Sequence, residues 1–139
     1  MAYNSLLVDT SFLLSYFIPQ DTNHGKAKKL LHKMDNYGNL FISSFIFLEF
    51  STVISQKLGK PDFRKVLDKT PVSSCKEIFV SELLYNKTKS AFKKLEIKNA
   101  SFVDLNTFIL AKEYAIDSVL SFDKHFKYLA KEYKIDLIN

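Results

Sequence analysis

Along this chain, short apolar runs of four or five residues alternate with longer stretches whose apolar positions recur every three or four residues. Residues 5–9 (SLLVD) read as a buried strand that ends on Asp9. Thr10 and Ser11 can cap a helical stretch over 11–18, which Pro19 closes. A second helix is predicted over 23–35, with Ala27, Leu30, Leu31 and Met34 on one face and lysines on the other, before a turn at 36–39. Residues 40–43 give a second strand. Ser43 or Ser44 then caps a long helix that runs to Leu58 and stops at Gly59, and Pro61 opens a shorter helix to about Lys69.

The second half repeats the pattern. Residues 76–80 (KEIFV) form a third strand, and a lysine-rich helix runs from Ser81 to about Leu95. Another helix starts at Ser101 and reaches about Tyr114. Residues 118–122 (SVLSF) are a fourth strand that delivers Asp123, and a last helix over 124–133 and a strand over 135–138 follow. Strands separated by helices imply a parallel sheet covered on both faces, an α/β fold. In such sheets ligands bind beyond the carboxyl ends of the strands, where the strand order reverses. Asp9 and Asp123 both stand at strand ends.

Composition adds limits. A length of 139 residues, 47% of them hydrophobic, suits one globular unit with a sizeable core, and three glycines and three prolines leave no linker or low-complexity stretch. The lone Cys75 can form neither an internal disulfide nor a thiolate metal site, and packing is its expected role. The apolar run 6–18 has no basic residues before it, carries Asp9 inside it and is too short to span a bilayer, so a soluble, cytoplasmic, unprocessed protein is expected.

The net charge of +5 favours a polyanionic partner. Should four acids gather at one site, 20 bases would face only 11 remaining acids, a basic surface around an acidic pocket. Arg64 is the only arginine, so phosphate contacts would be point charges rather than bidentate forks.

Four acids stand out, and each has an ordinary explanation. Asp9 and Asp123 precede helices, where aspartate commonly serves as an N-cap. Asp104 is the fourth residue of Ser101-Phe102-Val103-Asp104, which matches a capping box. Glu49 fits no such role. It interrupts Phe45-Ile46-Phe47-Leu48-Glu49-Phe50, apolar almost all round, with no lysine or arginine three or four residues away, so a buried carboxylate relieved by a cation is expected. Four carboxylates in one cleft would repel one another, and hard divalent cations relieve that, which favours Mg²⁺ or Mn²⁺ over Zn²⁺. His24, His32 and His125 lack metal-binding spacing.

Taken together, Leu6-Leu7-Val8-Asp9-Thr10-Ser11, Ser43-Ser44-Phe45 leading to Leu48-Glu49, Ser101-Phe102-Val103-Asp104, and Leu120-Ser121-Phe122-Asp123-Lys124-His125-Phe126 resemble the PIN-domain ribonucleases, and among them the small VapC-like toxins of toxin–antitoxin pairs. The resemblance covers nearly the full chain. It implies a single PIN-like nuclease domain over 1–139, a three-layer α/β/α sandwich around a parallel sheet of about five strands, and metal-assisted hydrolysis of RNA phosphodiester bonds with 5′-phosphate and 3′-hydroxyl products. It further implies that Asp9, Glu49, Asp104 and Asp123 are the catalytic and metal-holding acids, with Asp9, Asp104 and Asp123 binding directly and Glu49 directly or through water. The Thr10 and Ser121 hydroxyls would steady them from behind. A homodimer held inactive by a small antitoxin is implied as well. Serine at 121 stands where threonine is common, which keeps the hydroxyl. Lys124 stands where some relatives carry a further acid, so a second ion would be weakly held or arrive with substrate.

Other readings fit less well. An aspartyl phosphatase wants a second aspartate two residues after Asp9, where Ser11 stands, and Gly25, Gly38 and Gly59 assemble no phosphate loop. An inactive PIN-like domain that binds RNA or a partner is the non-enzymatic alternative, and a housekeeping RNA-processing nuclease the enzymatic one. The lysines between 87 and 98 are expected on a solvated helix face rather than in an RNA site. Tyr3, Tyr16 and Tyr37 could stack bases, but core or dimer contacts are the expectation for most aromatics.

Overall fold

The structure is a computed structural model that describes residues 5–34 and 37–139. Tyr3, the predicted end of the second helix at Asp35 and the start of the following turn lie outside the described residues. Chain order is β1 (Ser5–Val8), α1 (Thr10–Phe17), α2 (His24–Met34), β2 (Asn39–Ser43), α3 (Ser44–Leu58), α4 (Lys60–Leu67), a 3₁₀ turn (Val72–Ser74), β3 (Lys76–Ile78), α5 (Glu82–Lys93), α6 (Phe102–Glu113), β4 (Ser118–Leu120), α7 (Phe126–Tyr133) and β5 (Asp136–Ile138). The five strands form one parallel sheet in the order β3-β2-β1-β4-β5. This is the expected α/β architecture.

Period-two alternation in the strands divides the core into two layers. Leu6, Val8, Ile42 and Leu120 pack with Phe12, Ile46, Phe50 and Ile54 of α1 and α3 on one face. Leu7 and Val119 pack with Leu105, Phe108, Phe126 and Leu129 of α6 and α7 on the other. Apart from β2, which starts at Asn39, the strands are shorter than the sequence predicts, and at two of them the missing ladder bonds go to side chains. The Val80 amide donates to Ser44 Oγ at 2.9 Å instead of extending β3, and the Phe122 amide donates to Ser11 Oγ at 3.0 Å beyond the end of β4. The sequence also missed the 3₁₀ turn, whose three residues are too few for a periodic signal. Cys75 is half-buried against the α1–α3 layer, and burial pushes its thiol up to about 12, so it packs as an inert group.

Strand order reverses between β1 and β4. Their carboxyl ends are joined where the Asp9 amide donates to the Leu120 carbonyl at 2.9 Å. At the other end, the Ser5 amide donates to Asp117 Oδ2 at 3.0 Å and the Asp117 amide to Ser5 Oγ at 2.9 Å. The two central strands are thereby pinned at both ends.

Phe108 is fully buried, edge-on to Phe126 at 5.3 Å between centroids. Phe108→Ala is expected to lose about 3–5 kcal/mol of stability, read as a lower urea midpoint with an unchanged slope.

Candidate active site

Asp9 follows β1 and caps α1, accepting from the Ser11 amide at 3.2 Å. Its Oδ2 also accepts from the Ser11 and Ser121 hydroxyls, each at 2.8 Å. Those hydroxyls are held in turn by backbone: the Phe122 amide donates to Ser11 Oγ and the Asp123 amide to Ser121 Oγ, both at 3.0 Å. Three donors on one oxygen stabilise the ionised form, yet burial outweighs them. Asp9 is 4% exposed, and desolvation, opposed by these hydrogen bonds and helped by the charge of Asp104, raises its pKa to about 6.

Asp104 is the third residue of α6, in the capping box that the sequence predicts: the Ser101 amide donates to its Oδ2 at 2.9 Å, and its own amide donates to Ser101 Oγ at 3.1 Å. Burial pushes its pKa up, and the charges of Asp123 and Glu49 push in the same direction against the Ser101 hydrogen bonds. Asp104 therefore lies within electrostatic reach of all three other acids. Asp123 holds the turn into α7 by accepting from the His125 amide at Oδ1, 2.9 Å away.

The local roles of these aspartates leave part of each carboxylate unused. Each spends one oxygen on a local turn or cap. The other oxygen, Oδ1 of Asp9 and Asp104 and Oδ2 of Asp123, accepts no hydrogen bond among the described residues.

Glu49 differs from expectation. It is half-exposed rather than buried, on the second turn of α3. Its helix is apolar nearly all round because one stripe, Ile46, Phe50 and Ile54, packs on the sheet, while another lines an open cleft of about 520 Å³. Phe45, Leu48, Tyr85, Phe102 and Val103 form most of that cleft, with Glu49 on its rim. Proximity to Asp104, not burial, joins Glu49 to the group.

Of the two predicted supporting hydroxyls, Ser121 touches Asp9 and Thr10 does not. Thr10 Oγ1 is buried without a partner, and Ser11, read from sequence only as a cap, takes the role beside Asp9. The Asp-x-Ser spacing of an N-cap was the available signal.

Among the described residues, no three acidic, His or Cys side chains close on one point tightly enough to ligate an ion as they stand. The donor set nonetheless fits a hard divalent cation. It is all oxygen, three aspartates each keep an oxygen without a hydrogen bond, and the unpartnered Thr10 hydroxyl lies next to Asp9 in the chain. No helix among the described residues is long and apolar enough to cross a membrane.

The chain matches the PIN domain family model over residues 6–132, and it belongs to the PIN domain family. Among solved structures it is similar to Mycobacterium tuberculosis VapC20, a sarcin–ricin loop cleaving toxin, with TM-score 0.79, 21% identity, and coverage of 89% of this chain and 94% of that one. It is also similar to FitAcB from Neisseria gonorrhoeae, with TM-score 0.68, 14% identity and 96% of each chain covered. VapBC2 from Rickettsia felis, bound to a DNA fragment from its promoter, gives 0.66, 20% identity, and 97% and 98% covered. At these identities the likeness is one of fold. No curated protein matches the chain.

Since the folded state holds the Asp9 proton more tightly than the unfolded chain, this group's stabilisation is fully present below pH 3.8 and lost as pH rises through about 6. The shift corresponds to at most about 3 kcal/mol. Without divalent ions, Asp9→Asn is expected to melt above the parent at pH 7.5, with the gap closing toward pH 4. Equal melting temperatures at pH 7.5 would contradict the burial cost.

Proposed function

We propose that this protein is a metal-dependent endoribonuclease, the toxin component of a toxin–antitoxin pair, acting as a single PIN domain in the cytoplasm. Membership of the PIN family supports the reading, and one observation carries it: Asp104 within electrostatic reach of Asp9, Asp123 and Glu49, at the point where strand order reverses. Asp9, Asp104 and Asp123 would hold Mg²⁺ or Mn²⁺ through their unbonded oxygens, and Glu49 would join directly or through water. When bound, the ion supplies Lewis-acid polarisation of the phosphodiester.

The chain's own groups do the rest. Ser11 and Ser121 fix the Asp9 carboxylate, and one acid of the group takes the proton of the attacking water. Water oxygen bonds to phosphorus as the bond to the 3′ oxygen breaks, leaving a 5′-phosphate and, with a proton from solvent, a 3′-hydroxyl. A small antitoxin and a second copy of the chain are the proposed protein partners. VapC20, which shares the fold, is a cleaving toxin, and the exposed Leu48, Phe79 and Leu83 support a surface that protein covers.

Purified protein is expected to cut total cellular RNA into discrete fragments with Mg²⁺ or Mn²⁺ and not with EDTA, and Asp9→Asn to slow cutting at least about 100-fold. Ser121→Ala, which only loosens Asp9, should cost about 10–100-fold. Absence of cutting by folded, antitoxin-free protein under either metal would favour a binding scaffold instead. Light scattering is expected to give the mass of two chains at micromolar concentration, and a one-chain mass would remove the homodimer.

A further inference from the structure

On the α1 side of the carboxylate group, two aromatic rings carry lysines that the mechanism does not use. Phe122, next to Asp123, packs on Phe12 at 5.8 Å, and Phe12 on Tyr16 at 6.2 Å, so a row of rings leads away from the acids along α1. Lys26 Nζ lies 5.7 Å from the Phe122 ring centroid and Lys28 Nζ 4.2 Å from that of Tyr16. Between them Ala27 is fully buried, so the two lysines straddle the α1–α2 seam.

The far end of the row opens into a polar pocket of about 610 Å³ lined by Tyr16, His24, Lys28, Lys69 and Thr70, with Asp68 its one carboxylate. Neither Lys26, Lys28 nor Lys69 pairs with an acid among the described residues. From Asp9 to Phe17, which also lines this pocket, the rise of α1 amounts to about 12 Å.

We propose that this seam, from Lys26 to the Lys28–Lys69 pocket, is the track that holds the phosphate backbone of single-stranded RNA on one side of the cleavage point. The inference rests on the nuclease reading and names where that substrate lies. Unpaired lysines are the groups a phosphate chain neutralises, and a backbone leaving the acids needs cations at once, since the acids repel it. Lys26 supplies the first, one ring from Asp123. Rings that hold the lysines by cation–π contact keep the ammonium groups over the seam instead of spread through solvent. An acidic peptide would meet the same charges, but the row begins beside the carboxylates, where a peptide carboxylate has nothing to gain.

The test measures binding of a fluorescent single-stranded RNA oligonucleotide to the full chain carrying Asp9→Asn, across a salt series, with parent cleavage recorded beside it. Adding K26Q, K28Q and K69Q is expected to weaken binding and make the log–log salt slope shallower by about 2, from about 0.7 per lost contact. The same number of substitutions elsewhere, K93Q, K112Q and K131Q, should leave the slope unchanged. A parent that cleaves RNA while the slope of the first variant stays the same, or falls equally in both, overturns the track alone. Poly-glutamate displacing the oligonucleotide as well as unlabelled RNA would show an acidic-peptide site and overturn it too. A parent that neither cleaves nor binds RNA overturns the nuclease reading and the track together.

Discussion

The site depends on holding one carboxylate, Asp9, where water barely reaches it. Hydroxyls from Ser11 and Ser121 converge on one of its oxygens at 2.8 Å, and each hydroxyl is itself held by a backbone amide of the loop after β4. This closed set of hydrogen bonds does two things. It offsets part of the desolvation that raises the Asp9 pKa, and it welds the loop bearing Asp123 to the start of α1. The same amides would otherwise extend the strand, so β4 is short because the site uses its backbone.

Around that fixed point the acids crowd, while the chain as a whole is basic. Asp104 meets the fields of three acids, a configuration that costs free energy in the metal-free chain and is relieved by a cation or a proton. The net charge of +5 over the whole chain would favour a polyanion that the acids alone would repel. The lysine-rich helix α5 turns its charges outward. Its Lys87 and Lys89 are exposed and Lys87 pairs with Glu113, as expected of a solvated face. Lys26 of α2 differs in lying over the ring of Phe122, next to Asp123 in the chain.

Local signals in the sequence determined the helices, the places of the strands and the capping roles of Asp9 and Asp104, because caps and periodicity act within four or five residues. They also marked all four acids, through strand ends, a capping box and an acid in an apolar run. Only the tertiary structure decided which groups meet. The order β3-β2-β1-β4-β5 brings Ser121 to Asp9 across 112 positions, and nothing local specifies that neighbour. The same packing set the Ser11 hydroxyl on Asp9 and left the Thr10 hydroxyl without a hydrogen bond. It also left Glu49 on the rim of a cleft, since an apolar run does not reveal which of its faces lacks a partner. Cooperative, long-range packing chooses among pairings that short-range chemistry leaves equal, and so a chain can display its candidate residues without displaying how they are joined.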